Sequence, residues 1–154
     1  MFHHTATIIS QITPPTENLG AIYIGSADAA ESAAIIATKN INVIVTILSE
    51  EELVGFTPSK GQYTQYIYNI VDCEGIITQI AERAYAVIND AVANKLNVLV
   101  HCAMGVSRSV SVVLYYLMKT NKWSWKQAWK FIKTKRKCAS PCPIYRKQLQ
   151  SIKF

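Results

Sequence analysis

The chain has no Asp or Glu after Asp90. All ten acids lie at or before that position beside three basic residues, Lys39, Lys60 and Arg83, giving −7; the rest of the chain carries thirteen Lys or Arg, giving +13. A one-signed half projects a field that draws in anions, although for residues 119–137 alone a solvated basic helix accounts for the run. Also missing is any apolar stretch near the roughly 20 residues that cross a bilayer, so no membrane span is expected. The opening Met1-Phe2-His3-His4 has neither the basic-then-apolar order of a secretory signal nor Gly at position 2 for myristoylation. Cysteine is sparse: Cys73, Cys102, Cys138 and Cys142 show no disulfide-framework or zinc-ribbon spacing. Reduced thiols in a cytoplasmic compartment, with the nucleus as the alternative, are the expectation. His3-His4 reads as a chain end rather than a ligand pair, and no metal or cofactor is expected.

Low-complexity linkers, repeats and composition breaks are absent too, so residues 1–154 read as one domain with one core. What is present is an alternation of strands and helices. Ala21-Ile22-Tyr23-Ile24 predicts a short strand, and Gly25-Ser26 turns into a helix over 27–38 with Ser26 as N-cap. Residues 42–48 are β-branched and apolar, as in a strand covered on both faces. Residues 49–64 read as a loop and 66–71 as a strand ending just before Asp72. Ile77, Ile80, Ala84, Ile88 and Ala91 recur at helical steps. A buried strand over 97–100 leads into a helix over 107–119, then a Ser124-capped helix to 137. Pro141-Cys142-Pro143 opens a last short helix. The order predicts an α/β fold, a mostly parallel twisted sheet flanked by helices.

The chemistry concentrates where that buried strand ends, in His101-Cys102-Ala103-Met104-Gly105-Val106-Ser107-Arg108-Ser109. Ligands collect at strand carboxyl ends in α/β folds, and a helix N-terminus offers unpaired N–H groups to an anion. A five-residue loop between Cys102 and Arg108 can curl around a tetrahedral oxyanion, with Gly105 letting the backbone turn. Arg108 can grip two oxygens with its planar fork. The helix end and the cation favour the Cys102 thiolate, the nucleophilic form of the sulfur. Alone, Cys102 would read as core and Arg108 as surface charge; their conjunction at one strand-to-helix junction overturns that.

His101-Cys102-x5-Arg108-Ser109 resembles the signature of the protein tyrosine phosphatase superfamily, and more narrowly of its small dual-specificity phosphatases. The likeness extends through Tyr23-Ile24-Gly25-Ser26, Tyr116-Leu117-Met118, and Ser140-Pro141 with Gln148-Leu149. It implies a protein tyrosine phosphatase-like fold and phosphorylated proteins as partners, carrying phosphotyrosine, phosphoserine or phosphothreonine. It further implies Cys102 as nucleophile through a thiophosphate, and Ala103, Met104, Gly105, Val106, Ser107 and Arg108 as the phosphate cradle. Asp72, thirty residues before Cys102, matches the general-acid position, with Glu74 its near competitor. Ser109 would hydrogen-bond the sulfur, and His101 would hold the loop. The chain departs from the family at Cys142, where Asn often follows Ser-Pro and steadies the loop.

Within the superfamily, Ala103, Met104 and Val106 offer no Lys or His for the extra phosphates of phosphoinositides. RNA 5′-triphosphatase activity is kept in view only by the basic half, and nucleic acid is not the expected partner. A phosphoprotein-binding pseudoenzyme would have lost the Cys, Arg or Asp, and all three are present. Two weaker readings concern Cys73, a disulfide partner for Cys102 under oxidation, and Lys133-Thr134-Lys135-Arg136-Lys137. That run reads either as a nuclear signal or as a basic helix end facing the negative dipole.

Overall fold

The computed structural model describes residues 8–154, so the His3-His4 pair lies outside the described residues. Strands β1 (Ile9–Thr13), β2 (Ile22–Gly25), β3 (Ile41–Leu48), β4 (Thr64–Asn69) and β5 (Asn97–His101) form one sheet in the order β1-β2-β5-β3-β4. Every neighbouring pair is parallel except β1 with β2. Parallel strands need crossovers. Helices α1 (Ala27–Ala30) and α2 (Ala33–Thr38), then α3 (Glu50–Val54), then α4 (Ile77–Ala93) supply them, and α5 (Arg108–Asn121), α6 (Trp125–Lys135) and α7 (Pro143–Gln150) complete the chain.

Alternation along the central strands fills both faces of the sheet. Ile22, Ile24, Val43, Val45, Ile47, Val98 and Val100 join one core with the inner residues of α4 and α5. Their neighbours in sequence, Ala21, Tyr23, Ile44 and Leu99, join a second core under α1 and α2 with Ala29, Ala30 and Ile36. β5 lies between β2 and β3, so its carboxyl end opens at the centre of the sheet. The stripe predicted for α5, Val110, Val113, Leu114 and Leu117, is buried, but so is every residue from Arg108 to Met118. The sheet, α4, α6 and α7 surround this helix. Burying each Val or Leu contributes roughly 1.5–3 kcal/mol, which makes α5 the fixed element on which Arg108 and Ser109 ride.

Several boundaries differ from the sequence reading for identifiable reasons. The helix expected over 27–38 is two helices, because the Ser32 hydroxyl accepts the Ile35 N–H and starts a new one. Ser26 occupies the cap position of α1, yet its buried hydroxyl caps nothing. The loop expected over 49–64 contains α3, started by a capping box in which Ser49 and Glu52 bond each other's backbone N–H. β4 ends two residues early, at Asn69, so Asp72 sits on a turn beyond the strand. β1 was not foreseen: it is a short antiparallel edge with polar Ser10 and Gln11 interleaved.

Candidate active site

The segment from Cys102 to Ser107 is irregular backbone, so the partners of its carbonyls determine its shape. Each of the six has a donor behind the loop. The Cys102 carbonyl accepts from His101 Nδ1 at 3.0 Å, and that of Ala103 from the Ala27 N–H at 2.9 Å. Arg136 donates to Met104 O at 3.4 Å and to Gly105 O at 2.8 Å. Ser140 N–H donates to Val106 O at 2.8 Å, and Ser111 donates to Ser107 O from both its N–H and its hydroxyl. In a trans peptide the N–H points opposite to the preceding C=O, and no peptide bond among the described residues is cis. Six outward carbonyls therefore turn the N–H groups of residues 103–108 to the concave side. Among the described residues none of the 103–107 N–H groups donates to a protein acceptor.

That concave side forms part of a pocket of about 260 Å³ lined by Asp72, Cys102, Ala103, Met104, Val106, Ser107, Arg108, Ser140 and Cys142. Cys102 Sγ lies 3.2 Å from the Ser109 hydroxyl, and both residues are buried. Arg108 is buried as well, its guanidinium held by both carboxylate oxygens of Glu52 at 2.6 and 3.0 Å and by the Ile70 carbonyl at 3.0 Å. Its Nε is buried without a partner, a donor whose desolvation only a further acceptor offsets. The Arg108 hydrogen bond draws the Glu52 carboxyl down to about 2 against its burial.

His101 is fully buried between Thr46 and its own chain. A carbonyl only accepts, so Nδ1 carries the proton that bonds Cys102 O. Nε2 then accepts from the Thr46 hydroxyl at 2.8 Å, whose oxygen in turn receives Gln65 Nε2 at 2.9 Å. Burial lowers the imidazole from 6.5 to about 4, consistent with this neutral tautomer. His101 thus fixes the first carbonyl of the loop and offers no proton to the pocket.

Asp72 lines the opposite wall with its side chain exposed. Helix α7 fixes its backbone: the buried Tyr145 hydroxyl lies 3.0 Å from Val71 O and 2.8 Å from Glu74 O, and Gln148 bonds Gly75 O and the Ile77 N–H. Glu74, the competitor, is not among the pocket residues. The thiol partner of Cys73 is Cys142, not Cys102; that hydrogen bond, burial and the Asp72 charge raise it to about 11. Loop support at position 142 comes from the backbone, since the Cys142 N–H donates to Ser107 Oγ at 3.0 Å.

Two residues of the site were not read from the sequence. Glu52 was hidden in a presumed loop, although Ser49-x-x-Glu52 is a capping-box pattern. Arg136 was counted with a basic run, yet it is 1% exposed beneath the loop. Its signal was spacing: Ala128, Ile132 and Arg136 follow at steps of four, and the first two are buried. Burial lowers the Arg136 guanidinium from its usual value, a cost its bonds to the loop carbonyls and to Ser10 Oγ offset.

Comparison with known proteins bears on the family and the fold. The chain is 30% identical over 145 residues to Protein phosphatase Slingshot of Drosophila melanogaster, covering 94% of this chain and 14% of that protein. It is 30% identical over 130 residues to Dual specificity protein phosphatase 1B of Arabidopsis thaliana, covering 84% of this chain and 75% of the relative. The chain therefore spans a small part of the first relative and most of the second. Its fold superposes on the crystal structure of human tyrosine phosphatase-like serine/threonine/tyrosine-interacting protein with a TM-score of 0.83, at 23% identity over 94% of each chain. The family model "Dual specificity phosphatase, catalytic domain" matches residues 22–153, and the chain belongs to that family.

Proposed function

We propose that the chain hydrolyses phosphate monoesters on tyrosine, serine and threonine side chains of proteins, with Cys102 as nucleophile. The observation that carries the reading is the six outward carbonyls, which leave a bowl of N–H groups over the Cys102 sulfur with the spare Arg108 Nε beside it. Such a bowl holds three phosphoryl oxygens and stabilises the charge that builds on them during transfer. In the first step the Cys102 thiolate attacks phosphorus in line, the P–O bond to the substrate breaks, and Asp72 gives its proton to the departing oxygen. In the second, water attacks the thiophosphate, Asp72 takes its proton, and the S–P bond breaks to release phosphate. Ser109, 3.2 Å from the sulfur, stabilises the thiolate as it leaves.

Substrate class follows from charge around the bowl. Of the described residues lining the pocket, Arg108 alone is cationic. Beyond Ala103 lies a second cavity of about 310 Å³ whose lining includes Glu31, Glu51 and Glu52. A polyphosphorylated lipid or RNA end would set its further phosphates against these acids, whereas a phosphopeptide with a single phosphate brings no second anion to them. The two carboxylates not engaged by Arg108 favour a basic side chain next to the phosphoresidue.

The test is turnover of para-nitrophenyl phosphate and phosphopeptides by the wild-type and Cys102→Ser chains, with acid quenching to trap phosphate on the enzyme. The expected result is a loss of at least about 10⁴-fold in the variant and label on Cys102 only. Undiminished turnover by Cys102→Ser would sink the mechanism. Faster hydrolysis of phosphoinositides or triphosphorylated RNA than of phosphopeptides would sink the substrate class.

A further inference from the structure

One carboxylate oxygen of Asp72 and the sulfurs of Cys73 and Cys142 all lie within 4.8 Å of one another. The residues come from two segments that helix α7 ties together, since Cys142 is its N-cap residue. Tyr145 holds the turn at Val71 O and Glu74 O, on either side of Asp72 and Cys73, and the Cys142 N–H is bonded to Ser107 Oγ. We propose that Asp72, Cys73 and Cys142 form a binding site for a zinc-class divalent cation. Its occupancy removes Asp72 from proton transfer, a consequence that rests on the role assigned to Asp72 above.

Two thiolates and a carboxylate are a donor set that suits zinc rather than magnesium or calcium, which favour oxygen alone. With Zn–S near 2.3 Å and Zn–O near 2.1 Å, a tetrahedral ion holds such atoms roughly 3.6–3.8 Å apart. The three donors reach that spacing by side-chain shifts of about 1 Å, with no change in the backbone bonds that hold the segments. A disulfide would use two of the donors and leave the carboxylate beside it without a part; a cation engages all three and releases the two thiol protons to solvent. Three protein ligands leave a fourth position. Asp72 and Cys142 both line the Cys102 pocket, so the ion would sit at its rim, where the leaving oxygen of a substrate must depart.

The experiment titrates the full chain carrying Cys102→Ser with Co²⁺ under a phosphine reductant, which removes the catalytic thiol as a rival ligand. One equivalent should bind with a thiolate-to-cobalt charge-transfer band of two-sulfur intensity, displaced by Zn²⁺. Adding Cys73→Ser or Cys142→Ser should halve that band and weaken binding at least about 10-fold, with circular dichroism reporting that each variant is folded. In the catalytically intact chain, Zn²⁺ should slow phosphatase turnover and a chelator restore it. Cys73→Ser should turn over at the wild-type rate and require at least about 10-fold more Zn²⁺ for the same inhibition. A cobalt spectrum without thiolate character, or unchanged by the Cys73→Ser/Cys142→Ser pair, overturns the site, as does a Cys73–Cys142 disulfide in air with no metal bound on reduction. Because the titrated chain lacks Cys102, its result is independent of whether the protein is a phosphatase. Cobalt binding with zinc-insensitive turnover would refute the coupling to Asp72.

Discussion

The two walls of the Cys102 pocket are tied to the same C-terminal segment, yet they leave different things free. In the wall from Cys102 to Arg108 the backbone is bonded at six successive carbonyls, and the side chains of Cys102, Arg108 and Ser109 are buried. In the facing turn the backbone is held at Val71, Glu74 and Gly75, while the Asp72 side chain stays exposed. The contrast follows from the chemistry proposed for each. Stabilising fixed phosphoryl charge requires dipoles that do not reorganise. A proton donor must meet leaving groups of different size and needs only a fixed root. Substitutions in the first wall should therefore cost stability and turnover together, and one at the Asp72 side chain turnover alone.

The largest expected effect on stability is at Gly105. A Cβ there would sit 2.6 Å from Arg136 Nη2 and 2.7 Å from the Gly25 carbonyl, and its φ of +71° is left-handed. The backbone contact cannot be relieved by a rotamer, and the conformation itself costs a side chain about 1–2 kcal/mol. Gly105→Ala should lose about 3 kcal/mol or more in urea unfolding. Displacing the loop should also cut kcat/KM by at least about 10²-fold. Gly55→Ala is the control: no atom of the described residues lies within 4 Å of its Cβ position, and unfolding should move by less than about 0.5 kcal/mol. Equal outcomes for the two would mean that the loop is not over-determined.

Asp72→Asn should separate the walls. The new amide oxygen can still accept the Cys73 N–H that Asp72 accepts at 3.0 Å, so unfolding should shift by less than about 0.5 kcal/mol. Turnover should fall by about 10²–10⁴-fold. The loss should be greater for phosphoserine, whose alkoxide leaves poorly, than for para-nitrophenyl phosphate. Equal losses on both substrates, or a parallel loss of stability, would erase the distinction between the walls.

How much of this was legible depended on sequence separation. Cys102, Arg108 and Ser109 could be read because strand, loop and helix are consecutive, and a five-residue loop admits few shapes. The α/β alternation could be read because each element carries its own period. Glu52 and Arg136 reach the site from 56 and 31 residues away from their partners; nothing in a local pattern says which carbonyl or guanidinium they will meet. The end of β4 was misplaced because Ile70 and Val71 are as β-prone as the strand before them. There the Ile70 carbonyl bonds Arg108, a partner that only the assembled fold supplies. Cys142 shows the converse: its side chain departs from the family pattern, while the backbone N–H at that position bonds the loop.

The smallest effect expected concerns the clamp between the walls. Glu52 grips Arg108 in a paired hydrogen bond, and its carboxyl is drawn from 4.5 to about 2, chiefly by that bond. A depressed folded value means stability that is present above about pH 4.5 and lost as pH falls towards 2. The Glu52 side chain is 35% exposed, so solvent screening limits the contribution to about 1 kcal/mol. Glu52→Gln keeps an acceptor but removes the charge. It should unfold about 1 kcal/mol more easily at pH 7, with a rise of a few-fold in phosphopeptide KM as Arg108 loosens. Lowering the pH should shrink the stability difference from below pH 5 and close it near pH 2. His101, buried neutral at about 4 against an ordinary 6.5, destabilises the fold between those values. That cost builds up as pH falls from 6.5 to about 4 and persists in full below that; it is the same in both chains, and subtraction removes it. A difference that stays flat from pH 7 to 3 would show that the Ile70 carbonyl and the surrounding packing hold Arg108 without the carboxylate. The clamp would then belong to α3 alone, as its capping residue.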